Sequence, residues 1–111
     1  MIRAVELFTG PDGASHVKES SVSQTLPIGA TVIRFEESPP HSSLDWHEAP
    51  QRQYVVTLTG TLEFTTLDGE VFVLNPGDVL LAADDVGTGH KWRLIDERPW
   101  RRLYVILADQ T

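Results

Sequence analysis

The chain has 111 residues and a mass of 12.4 kDa, with 16 acidic against 9 basic side chains, a formal net charge of -7 and no cysteine. That size closes a single core without a disulfide staple, so one domain spanning 1-111 is expected. An acidic field repels a phosphate backbone, and the one basic cluster, Arg98, Arg101 and Arg102 beside Trp100, is too small to reverse it, which argues against nucleic acid.

The start, Met1 to Phe8, is broken by Arg3 and Glu6 and then by Gly10-Pro11, so no signal peptide is read there. No later run approaches the roughly 20 apolar residues of a membrane helix. Absence of cysteine fits a reducing compartment. The expected setting is the cytoplasm, with no membrane partner.

In chain order, residues 2 to 8 read as an opening strand and Gly10-Pro11-Asp12-Gly13 as a turn, followed by a short polar strand from Ser15. Thr31 to Glu36 alternates: Ile33 and Phe35 share one face, Arg34 and Glu36 the other, as in a half-buried strand. Ser38-Pro39-Pro40-His41-Ser42-Ser43 cannot continue it, because proline removes ladder donors. Gln53 to Thr59 is rich in β-formers, Gly60 breaks it, and Thr61 to Thr65 alternates again. Asp68-Gly69 is a hairpin signal leading into Val71 to Leu74. Asn75 to Asp78 is a further turn, and Val79 to Ala82, 90 to 95 and 102 to 108 complete the set.

No segment repeats apolar residues at helical spacing for three turns between caps. Short strands separated by turns predict an all-β sandwich or barrel. Tyr54, Val56 and Leu58 lie on one face of their strand with Val55 and Thr57 on the other, and Leu103, Val105 and Leu107 oppose Tyr104, Ile106 and Ala108 in the same way. Both faces of these strands are apolar, so a second sheet or subunit should cover the outer one, and a homodimer is expected.

These residues resemble a small single-domain cupin, a jelly-roll barrel (double-stranded β-helix), over about 31-107, with the N-terminal strands of 1-30 packed on it. The family's first motif runs G, five residues, H-x-H, three or four residues, E, six residues, G. Counting back from Gly60 puts Gln53 at the glutamate, Ala49 at the second histidine, His47 at the first and His41 at the leading glycine. Pro76-Gly77-Asp78 and His90 match the second motif, with a longer loop, Ala83 to Gly89, between them.

The resemblance implies a divalent metal such as Zn, Fe, Ni or Mn inside the barrel, held by His47, His90 and Gln53. Gln53 and Ala49 replace a carboxylate and an imidazole, and a neutral donor set gives up charge attraction. Alternation along an extended chain puts Asp45 on the face of His47, where its carboxylate would complete the set. Asp84 and Asp85 are expected at the barrel mouth, His16 and His41 as solvated loop residues and Arg52 pointing outward. Trp46 and Trp92 are expected to face away from their neighbouring histidines, in the core or the dimer interface.

Three functional readings follow: a metal-dependent enzyme of the dioxygenase or isomerase type, a non-catalytic module binding a small molecule, and a structural barrel with a degenerate site. Cysteine nucleophiles, a serine elbow, a deoxysugar-epimerase dyad and a phosphate loop have no support in the spacing.

Overall fold

The computed structural model describes residues 1–25, 27–47, 49, 51–84 and 88–108. Its ten strands are β1 (Ile2–Thr9), β2 (Ser15–Val22), β3 (Ala30–Ser38), β4 (Ser43–His47), β5 (Gln53–Thr59), β6 (Leu62–Thr66), β7 (Val71–Leu74), β8 (Val79–Ala83), β9 (His90–Leu94) and β10 (Trp100–Leu107). Among the described residues there is no helix, and so none long and apolar enough to cross a membrane. The strands form a six-stranded sheet, β2-β1-β8-β5-β10-β3, and a four-stranded sheet, β4-β9-β6-β7. This is the expected all-β jelly roll.

Period-two alternation places the core between the sheets. Val5, Leu7, Val55, Leu80 and Tyr104 from the large sheet meet Leu62, Phe64, Phe72, Trp92 and Leu94 from the small one. Phe64 stacks on Phe72 at 5.0 Å between ring centroids, and Trp92 meets Trp100 edge-on at 4.7 Å. Gly60 carries the chain from β5 in one sheet to β6 in the other. Its φ is +96°, and a Cβ there would sit 3.1 Å from the Pro99 carbonyl oxygen and 3.2 Å from Trp100 Cα, so only glycine fits. Gly69, at φ +87°, closes the β6–β7 hairpin by donating its N–H to the Thr66 carbonyl at 3.0 Å.

The faces of β3 are assigned opposite to the usual expectation for a half-buried strand. Ile33 and Phe35 are 62% and 71% exposed, whereas Arg34 and Glu36 line the space between the sheets. The reason lies in β10, whose inward-facing Arg102 bonds Glu36. Outside, Leu103 stands opposite Phe35 and Val56, and Val105 opposite Ile33 and Tyr54. An apolar band therefore crosses the outer surface of β3, β10 and β5, as the doubly apolar strands foretold.

Candidate functional site

A cavity of about 280 Å³ opens between the sheets. His47 closes β4 and His90 opens β9, and the two are register partners across that antiparallel pair. Their rings meet edge-on with centroids 4.4 Å apart. Gln53, at the start of β5, joins them on the cavity wall and is only 5% exposed. The two residues counted back from Gly60 and the histidine matched to the Pro76-Gly77-Asp78 motif therefore line one cavity.

Each imidazole is oriented from behind. His47 Nδ1 lies 2.8 Å from the Asp45 carbonyl oxygen; a carbonyl only accepts, so Nδ1 carries the proton. Burial pushes the His47 pKa down, the Asp45 bond pushes it back, the charge of His90 lowers it and Asp84 raises it, and the result lies below the ordinary 6.5. His90 Nδ1 donates to Asp84 Oδ2 at 2.7 Å. Ser15 Oγ donates to the same oxygen at 2.9 Å and accepts the Gly89 N–H at 3.0 Å. Burial alone would raise the Asp84 carboxyl, but the His90 hydrogen bond and charge, followed by the Ser15 bond, hold it below the ordinary 3.8. Asp84 is thus an ionised acceptor at 0% exposure. Both rings spend Nδ1 on the protein, which leaves Nε2 as the nitrogen each can offer a ligand.

Two buried acceptors here have no donor among the described residues, Gln53 Oε1 on the cavity wall and Asp84 Oδ1 behind His90. Such an atom costs about 1–3 kcal/mol when left unsatisfied. Two Nε2 atoms and an amide oxygen are donors that a divalent ion accepts. The chemistry of the set therefore fits a metal, without the charge of a carboxylate.

Asp45 does not join the set. β4 does reach residue 45, but the ladder slips between Leu44, opposite Trp92, and His47, opposite His90. Three steps on β4 span two on β9, a bulge that breaks the alternation. Leu44 and His47 both face the cavity, while the Asp45 carboxylate accepts its neighbour's Trp46 N–H at 2.9 Å on the outer surface. Trp92 departs from expectation too: two residues from His90, it shares that ring's face and lines the same cavity. Trp46 faces outward as expected, with Lys91 Nζ 4.9 Å from its ring centroid. Asp85 lies outside the described residues.

His41 is exposed, as read, with Nε2 2.9 Å from Glu97, and Arg52 is exposed. His16 is not a loop residue: on β2 it sits between Asp12 and Glu70, each 2.9 Å from a ring nitrogen. Sequence reasoning missed Ser15, 69 positions from Asp84, and the wall made by Arg34, Glu36, Trp100, Arg102 and Tyr104. The signal for that wall was present, since Arg102 has the parity of Trp100 and Tyr104 within a strand whose other face is apolar.

The backbone at His41 adds a decisive detail. Its φ is +67°, a conformation that glycine favours, at the very position where the first cupin motif has its leading glycine. The Cupin_2 cupin domain family matches residues 34–106. The chain belongs to the cupin family. Among solved structures, this cupin superposes on a conserved protein of unknown function from Streptococcus pyogenes with a TM-score of 0.55 and 18% identity, covering 71% of this chain and 65% of that one. A cupin superfamily protein from Desulfitobacterium hafniense gives 0.54 and 16%, covering 96% and 78%, and a cupin domain from Schizosaccharomyces pombe gives 0.55 and 16%, covering 97% and 83%. At these identities the likeness speaks for fold alone. A comparison with curated proteins finds no match.

Proposed function

We propose that this chain acts as a single cytoplasmic barrel domain that holds a divalent cation through His47 Nε2, His90 Nε2 and Gln53 Oε1 and binds a small polar molecule beside it. The observation that carries the reading is the orphaned Gln53 oxygen next to two imidazoles whose other nitrogens are already engaged. Prior engagement of Nδ1 fixes tautomer and ring orientation, the role that carboxylates and carbonyls behind metal-ligating histidines play. Bound there, the ion would act as a Lewis acid on an oxygen of the ligand. His47 presents a lone pair because burial keeps it neutral, and the aromatic lining limits water around the bound molecule.

Isomerase or dioxygenase turnover is the catalytic form of this reading, and ligand sensing without turnover its alternative. The second gains from Ala49, which puts a methyl where the family motif has an imidazole. The test is metal content of untagged protein by elemental analysis before and after chelation. Stoichiometric metal that is lost in His47→Ala, with the fold intact by circular dichroism, is the expected result. Wild-type protein that takes up no divalent ion on titration refutes the reading.

The outer band of Ile33, Phe35, Leu58 and Leu103 supports a second copy of the chain as the covering partner. Light scattering should give twice the chain mass, reduced to one chain by Phe35→Asp.

A further inference from the structure

The wall contributed by β3 and β10 is cationic, in a chain whose net charge is -7. Arg102 is 4% exposed, and a buried guanidinium persists only where its N–H groups are satisfied. Nε donates to Tyr104 Oη at 3.1 Å, Nη1 to Ser38 Oγ at 2.8 Å and to the Trp100 carbonyl at 3.1 Å, and Nη2 to Glu36 at 2.8 Å. Its central carbon lies 3.9 Å from the Trp100 ring centroid. Four of five N–H groups are thereby engaged, which leaves one on Nη2.

Arg34 differs. It lies over the Tyr104 ring at 4.4 Å, and its nearest carboxylate, Glu36, stands 3.9 Å from Nε, beyond hydrogen-bond reach. Its side chain is 48% exposed at the rim of the cavity it lines, and no acceptor among the described residues lies within hydrogen-bond distance of its fork. Glu36 is the single carboxylate on this wall, facing two guanidiniums. Asp84 hydrogen-bonds His90 and does not line the cavity. The described lining therefore carries a surplus positive charge, against the sign of the whole molecule.

We propose that the cavity selects a small organic carboxylate, its anionic end taken by the Arg34 fork and the remaining Arg102 N–H, its apolar body lying against Phe64, Leu80 and Trp92. This deepens the reading above, since it uses the same cavity, but it needs no ion. The volume of about 280 Å³ lies just below the range of ligand clefts, roughly 300 to 1,000 Å³, and so favours compact molecules. An unoccupied fork matches a carboxylate bidentately, whereas a neutral amide offers one acceptor and brings donors toward cationic groups.

Benzoate and its neutral counterpart benzamide are suitable probes, titrated by calorimetry into chelated protein and into protein reloaded with zinc. Chelated protein should bind benzoate at least tenfold more tightly than benzamide. Arg34→Gln, with the fold verified by circular dichroism, should remove roughly tenfold or more of the benzoate affinity, collapse the preference for benzoate over benzamide, and be partly rescued by Arg34→Lys. Equal binding of the two probes, no benzoate binding to chelated protein, or full benzoate affinity in Arg34→Gln would each overturn the proposal. Zinc uptake is read in a separate titration: benzoate selectivity without zinc binding refutes the metal reading alone, and zinc binding without benzoate selectivity refutes this one alone.

Discussion

Ser15 and His16 are consecutive residues of β2, yet they serve two histidine–carboxylate clusters that behave oppositely. Ser15 points into the barrel and binds Asp84, which holds His90. His16 points out, between Asp12 and Glu70. The contacts are of similar length, and what separates them is solvent. In the buried cluster every lost partner strands a polar group where water cannot replace it. In the outer one, water and salt substitute for either carboxylate, so little is gained from the pairing beyond a shift in proton affinity.

The largest effect is expected from Asp84→Ala, which strips the acceptor from His90 Nδ1–H and from the Ser15 hydroxyl at once. Stability should fall by about 3 kcal/mol, seen as a lower urea midpoint with unchanged slope. Metal affinity should drop roughly 10–100-fold, as for other residues that orient a ligand from behind. A variant as stable as wild type would remove the distinction between the two clusters.

Ser15→Ala comes next, at about 1–2 kcal/mol, because the Gly89 N–H loses its acceptor and Asp84 one of its donors. The same urea titration measures it. An effect equal to that of Asp84→Ala would mean that the hydroxyl, rather than the carboxylate, organises the cluster.

The smallest effect belongs to His16→Gln, and it should be visible only as a change in pH dependence. The two carboxylates raise the folded His16 pKa above 6.5, so its contribution is complete below that pH and fades as pH rises through the raised value. His47 works in the other direction. Its folded pKa is depressed, so the unfolded chain takes up the proton first and stability falls as pH drops below 6.5. Asp84, also depressed, adds stability above its unfolded value of 3.8 that is lost as pH falls through its folded value. Thermal melts from pH 4 to pH 9 should therefore show His16→Gln flattening the alkaline limb and leaving the acid limb intact. Movement of the acid limb instead would contradict the assignment.

Much of this architecture was legible in the residues. Gly60, Asp68-Gly69 and the alternating apolar runs placed strands and turns, because each reflects a local backbone requirement. His47 and Gln53 were placed by counting from Gly60 and His90 by the Pro76-Gly77-Asp78 match, and the structure sets the three on one cavity wall. Asp45 was misplaced, since a one-residue slip between Leu44 and His47 reverses every face assignment beyond it. Ile33 and Phe35 were rightly put on one face of β3, but alternation tells which residues share a face and not which face is covered. Trp92 needed only the period-two rule, counted correctly from His90. The Ser15–Asp84 contact rests on the β1–β8 parallel pairing, which brings the N-terminal hairpin beside a distant strand, and no local pattern encodes that adjacency.

The matched family segment begins at residue 34, so the strand that supplies Ser15 lies wholly ahead of it. Anyone who trims this protein to its recognisable portion, or fuses a bulky tag where it could peel the first hairpin off the sheet, would keep both imidazoles and Asp84 but lose the Ser15 hydroxyl that braces that carboxylate. The smallest piece that looks like a cupin is thus not the smallest piece that keeps the Ser15–Asp84–His90 cluster whole.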